Sequence, residues 1–189
     1  MLVRSIAVLA LVAAPFAARA ADDENPYKNA KVGDYATYKM TTKIANFNVD
    51  GTITQSVTAV TKEEVTVKAT GKVKLGDNEM EIPAQEQKID LTKPFDPTKV
   101  GSLPGGADAK VEKGKEGKEK VKVGDKSYET TWTTYKVKAK AMGQEIDADV
   151  KAWMAKDVPG GMVKMTMTAE VAGQKMEMVM ELTETGNKK

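Results

Sequence analysis

The chain has 189 residues, 41% of them hydrophobic and 30% charged, with a formal net charge of +2 and neither cysteine nor histidine. Those two absences exclude Ser-His and Cys-His nucleophile pairs, His-ligated zinc and the usual general base near neutral pH. Carboxylates, lysines and hydroxyls remain, but no two carboxylates read as an acid/base couple in contrasting environments, so a non-enzymatic protein without cofactors is expected.

Residues 1–20 have the pattern of an export signal. Arg4 gives a positive start, 6–14 form an apolar run, Pro15 breaks it, and Ala18-Arg19-Ala20 is a small-x-small cleavage site. The run is too short to span a bilayer comfortably, and no cysteine follows to accept a lipid. A mature chain starting at Ala21, periplasmic or secreted and without a membrane span, is expected. Cleavage removes two arginines and leaves 27 basic against 27 acidic residues, too balanced to bind a phosphate backbone, so nucleic acid is excluded as a partner. Residues 21–189 suit one domain with one core.

Period-two alternation dominates the chain beyond residue 30. Ala36, Tyr38 and Met40 share a face of a first strand. Asp50-Gly51 reads as a type I′ turn, and Val65, Val67, Ala69, Val73 and Leu75 form a third-strand face. A turn at Gly76-Asp77 sets Lys74 opposite Glu79, Val73 opposite Met80 and Lys72 opposite Glu81. A Pro/Gly-punctuated connection occupies 91–106, with a short helical turn expected at Asp96-Pro97.

After the connection, Gly124-Asp125 turns to set Val121 opposite Tyr128. The parity of the large residues changes between Tyr128/Trp132 and Tyr135/Val137, which predicts a β-bulge near Thr133-Thr134 or a strand buried on both faces. A turn at Gly143-Gln144 sets Val137 opposite Val150, Lys138 opposite Asp149 and Lys140 opposite Asp147. A turn at Gly173-Gln174 sets Met165 opposite Leu182, Met167 opposite Met180 and Ala169 opposite Met178. The fold class expected is all-β, an antiparallel up-and-down meander of about nine strands curled into a half-barrel or barrel, with little helix.

Three features carry a functional reading beside a structural one. The methionines of 162–180 offer soft thioethers for cuprous copper, a flexible lining for an apolar ligand, or core packing. The seven lysines of 110–126 suit an anionic surface, or a soluble ribbon that protects a sheet edge. Trp132 and Trp153, diagonal on neighbouring strands opposite the Ala/Val face, suit a sugar or lipid headgroup, or a structural aromatic cluster.

Residues 92–98, and Trp153 followed by the run from Lys156 through Val158-Pro159-Gly160-Gly161 to Lys164, resemble small exported bacterial proteins of unassigned function. The second stretch is also similar to the sheet of lipoprotein-carrier-like half-barrels of the LolA/LolB type. That resemblance implies a sheet curled around an apolar cavity that holds acyl chains, although the carriers' lid helices have no counterpart here. The function expected is binding of an apolar small molecule or acyl chain by Met165, Met167, Met178, Met180, Val137 and Val150. The alternative is a structural or protein-interaction domain of the cell envelope with a filled core. Nothing in the sequence identifies a protein partner.

Overall fold

The computed structural model describes residues 25–45, 47–76, 78–93, 110–141, 144–171 and 173–188. The export pattern of 1–20 and the helical turn at Asp96-Pro97 lie outside the described residues. The alternating segments form nine strands: β1 (Asp34–Ile44), β2 (Phe47–Val60), β3 (Glu64–Leu75), β4 (Asn78–Asp90), β5 (Lys110–Val123), β6 (Lys126–Ala141), β7 (Gln144–Met154), β8 (Met162–Val171) and β9 (Gln174–Asn187). All belong to one antiparallel sheet in the order β4-β3-β2-β1-β9-β8-β7-β6-β5. The meander expected from the sequence is present, but β1 pairs with β9 at its centre, and β4 and β5 are its two edges.

An odd strand number explains why the sheet stays open. Eight antiparallel pairings separate β4 from β5, so the two edges run in the same direction. Sealing them would require a parallel pair, which the hairpin geometry of the other strands does not supply. Each edge is blunted instead. On β4, Pro83 and Ala84 face the single residue Thr70, and on β5, Gly114 and Lys115 face Thr134. A bulge twists an edge away from further pairing, and a proline removes a donor. The lysine-rich ribbon is therefore an edge strand. The bulge expected in β6 lies beside it: β6 keeps unbroken register with β7, and the extra residue is in β5. The Thr134 hydroxyl accepts from Lys115 N–H at 2.8 Å and contacts Lys115 C=O at 3.2 Å, serving both backbone groups of the bulge. Buried positions still change parity along β6, from Tyr128 and Thr130 to Thr133, Tyr135 and Val137.

The sheet curls so that both wings meet one core. A single cluster joins Val65 and Ile89 of the β3–β4 wing with Met162, Val163 and Tyr135 of the other. The segment before β1 bridges the wings at one end. Asn25 Nδ2 donates to Asp90 C=O at 3.0 Å, Asn25 Oδ1 accepts from Tyr27 N–H, and the buried Tyr27 ring lies against Gly160 of the β7–β8 connection. A Cβ on Gly160, where φ is 74°, would come within 2.6 Å of the Tyr27 hydroxyl. Tyr38 hydroxyl donates to Met162 C=O at 3.2 Å beside it. Burial pushes the phenols of Tyr27 and Tyr38 well above their usual range, so this end is sealed with neutral rings.

Three hairpins differ in detail from the sequence expectation. Ile44 pairs with Phe47, so β1 turns at Ala45 (φ 50°), and Asp50 and Gly51 lie inside β2. In β6–β7, Ala141 faces Gln144, Val137 faces Ala148, and Lys138 and Lys136 face Asp147 and Asp149. In β8–β9, Val171 faces Gln174, Met165 faces Met180 and Met167 faces Met178. Both registers are displaced by two residues, which leaves every side chain on its expected face. The hairpins at Gly76 and Gly124 have the expected pairing, with Val73 opposite Met80 and Val121 opposite Tyr128.

Lys138 and Asp147 lie 3.5 Å apart on the exposed face. Changing both Asp147 and Asp149 to lysine sets like charges against Lys138 and Lys136 and is expected to cost about 0.5–2 kcal/mol. Urea denaturation reads this directly. An unchanged midpoint would mean that these charges do not contribute to the register.

Candidate functional site

The concave face is organised in rows that cross the strands at right angles. One row runs Ala152, Met165, Met180, Met40, Gly51, Val73, Met80 from β7 to β4. The next runs Val150, Met167, Met178, Thr42, Val49, Leu75. A third runs Ala148, Ala169, Met176, Ile44, Phe47. Directly opposed side chains are near enough to pack, so each row is a continuous strip of contact.

The rows are sealed on one side and open on the other. Met165, Met167, Met178, Met180, Val137 and Val150, the six residues expected to line a ligand, are all buried by the chain itself. Met40, Met162 and Met176 are buried with them. Flexible thioethers fill the uneven space beneath the small residues Ala148, Ala152 and Ala169, which is the packing use of methionine. Towards the β3–β4 wing the same rows emerge into solvent. Phe47 is 57% exposed and Met80 38% exposed, while Ile44, Val73, Leu75 and Ile82 are half-buried. These six form an apolar rim at the end opposite Tyr27, around the tips of the β1–β2 and β3–β4 hairpins.

Sequence reasoning placed Val73, Leu75 and Met80 on one face but did not assign them to a site. Ile44, Phe47 and Ile82 were missed. The misplaced turn at Asp50-Gly51 hid Phe47, because it broke β2 where that strand is continuous. A usable signal was the pairing of Val73 with Met80, which puts two apolar residues on an edge hairpin with no further strand to cover them.

The opposite face carries the tryptophans. Trp132 and Trp153 face each other directly across β6 and β7, rather than diagonally. Lys151 Nζ lies 4.2 Å from the centroid of the Trp132 ring and 4.4 Å from that of Trp153, and Lys164 Nζ lies 5.7 Å from Trp153. Trp153 Nε1–H donates to Glu119 Oε2 at 2.9 Å. The Trp132 ring lies over Gly117 of β5, where a Cβ would come within 2.6 Å of Cζ2. Each ammonium rests on an aromatic face, an attraction that strengthens as water is excluded.

An open antiparallel half-barrel, closed at one end by tyrosines, floored by thioethers and rimmed by exposed apolar side chains, is what these observations define. Among solved structures it is similar to a protein from Bacteroides fragilis described as exported and as having a YmcC-like fold, with a TM-score of 0.51 at 10% identity over 83% of this chain and 97% of that one. A second similar structure is a protein from Parabacteroides distasonis described as a lipoprotein, with a TM-score of 0.47 at 9% identity over 82% and 96% of the two chains. The first likeness is one of fold alone. No protein-family model matches the chain, and no curated protein matches it. No helix among the described residues is long and apolar enough to cross a membrane.

Proposed function

We propose that this chain is an exported, non-enzymatic half-barrel that takes an apolar or lipid-like ligand at the open end of its concave face. One observation carries the reading: the apolar rows that are buried at the centre of the sheet end in an exposed rim of Phe47 and Met80. Large apolar side chains grouped on a concave surface are a common setting for ligand contact. Met80 supplies the adaptable, polarisable surface that suits a ligand of variable shape. The rim takes the role first given to Met165, Met167, Met178, Met180, Val137 and Val150, which serve as the floor beneath it. The lipoprotein-carrier-like resemblance points to an acyl chain as the ligand.

The second reading, an envelope interaction domain with a filled core, is favoured by the complete burial of those six residues. Titration of the mature protein with an environment-sensitive fatty-acid probe separates the two. Saturable binding is expected, and it is lost in the double variant Phe47→Lys, Met80→Lys. Both positions are exposed, so the variant stays folded by far-ultraviolet circular dichroism, and stability moves by no more than about 0.5 kcal/mol. An absence of saturable binding, or binding that the double variant leaves intact, would overturn the ligand reading.

A further inference from the structure

We infer that the ligand of the concave face carries a neutral hydrogen-bonding head, such as an acyl amide or ester, and that Gln55 receives it. This rests on the ligand site proposed above and names the chemistry that the site selects. Gln55 occupies an inward position of β2, in a row that runs Thr185, Ala36, Gln55, Ala69, Gln85 from β9 to β4. The residue is only 5% exposed, and its side-chain amide has no hydrogen-bond partner among the described residues. Burying an amide without a partner is costly, so the arrangement points to a group supplied from outside the chain.

The row opens outward as the apolar rows do. Gln55 is buried, Ala69 half-buried and Gln85 exposed, so the amide lies on a path that reaches the β4 edge. Its direct neighbours on β1 and β3 are both alanines, too short to cap it. Met80 and Ile82 of the rim hold the two preceding inward positions of β4, so this polar spot continues the apolar mouth. Four residues of β2 separate Gln55 from Gly51, which shares the row of Met80. That is about 13 Å along an extended strand. A ligand with its head at Gln55 therefore lays its apolar tail past Ile82 towards Met80 and Phe47.

Charge decides against an ionised head. The inward positions of β2, β3 and β4, from the rim to the Gln55 row, carry no charged residue. The acids of β4, Glu79, Glu81, Glu86 and Asp90, outnumber its one lysine, Lys88, along the open edge. A carboxylate would enter with no cation to pair with, and burying it unpaired is far more costly than burying a neutral group. An amide or ester carbonyl instead accepts from Gln55 Nε2–H, and an amide N–H donates to Gln55 Oε1. A fatty-acid anion still reaches the rim with its tail, but gains nothing from Gln55.

Calorimetric titration of the mature chain with decanamide and with decanoate at neutral pH tests this. Decanamide is expected to bind about ten-fold more tightly than the anion, and Gln55→Leu to abolish the difference by weakening decanamide alone. Leucine is close to glutamine in size and leaves no unbonded amide, so the variant is expected to melt at or above the parent's temperature. Equal affinity for the two compounds, or decanamide binding that Gln55→Leu leaves intact, overturns the inference while the ligand site stands. Absence of decanamide binding in a protein that saturates with the fatty-acid probe does the same. A Gln55→Leu protein that melts markedly lower would assign the amide to core packing, and the inference would fall there too. No saturable binding of either compound or of the probe would overturn the ligand site itself, and this inference with it.

Discussion

Replacing Met165 or Met180 by alanine is expected to lower stability by about 2–5 kcal/mol in each case, among the largest effects of any side-chain truncation in this protein. Met165 is 0% exposed and Met180 1%, and they face each other across β8 and β9 in the longest row of the concave face. Truncating either removes apolar surface and leaves a void, because strands held by ladders on both sides cannot collapse around it. The double variant should cost less than the sum, since the two side chains share one space. Met80→Ala, at the exposed end of the same row, should change stability by no more than about 0.5 kcal/mol. Guanidinium denaturation of the four proteins reads out the gradient. A Met165→Ala or Met180→Ala midpoint near that of Met80→Ala would mean that the floor is loosely packed, and would favour a hollow ligand-holding interior over a filled one.

Strand parity was legible because burial on one face imposes a period of two, and that period survives any error in turn placement. The methionines of β8 and β9 were set on the right face although the β8–β9 register was displaced by two residues. A two-residue slip preserves the face, so the apolar pattern could not detect it. The charged face could have. With Gly173-Gln174 as the turn, Glu170 would sit opposite Glu177, whereas the observed register sets Glu170 against Lys175 and Thr168 against Glu177. The same holds at β6–β7, where the observed register aligns Lys136, Lys138 and Lys140 with Asp149, Asp147 and Glu145. The expected one aligned only two such pairs. Glycine by itself was ambiguous, since a two-residue turn accepts it at either position: Gly76 and Gly124 lead their connections, while Gly173 ends its own.

The β1–β9 pairing had no local signal. It joins residues about 150 apart, such as Tyr35, whose hydroxyl donates to Glu184 Oε1, and nothing near either strand announces the other. The parity of nine strands does contain it in part. If β1 to β4 form one meander and β5 to β9 another, pairing β1 with β9 joins them antiparallel, and the chain must then change ends between β4 and β5. The rim followed the same logic. Phe47 and Met80 stand out only once the strand order shows that the β3–β4 wing ends the sheet.

Gly71→Ala is expected to destabilise by about 1–3 kcal/mol, although alanine is the better strand former and reduces the freedom of the unfolded chain. A Cβ at Gly71 would lie 2.6 Å from the backbone oxygen of Thr52, 3.1 Å from Ile82 Cδ1 and 3.3 Å from Ile53 Cγ1. The first neighbour is main chain within the β2–β3 ladder, so relief requires the strands to part or the sheet to flatten. Gly51, in the adjacent row, is crowded by the ends of Met40 and Val73 at 3.1 Å and by Lys72 C=O at 3.0 Å. Flexible side-chain ends yield more readily than backbone, so Gly51→Ala should cost less. The pair explains why two glycines interrupt β2 and β3. On the inside of a curled sheet, side chains from neighbouring strands converge, and a position without Cβ lets Ile53, Ile82, Met40 and Val73 close over it. Gly76 is the control: open space surrounds it, but its φ is 61°, so alanine there costs only the left-handed strain of about 1–2 kcal/mol. Denaturation midpoints for the three variants separate crowding from strain. A Gly71→Ala protein as stable as the parent would show that the β3–β4 wing can uncurl at this point without loss, and the rim beside it would then not be a rigidly held feature.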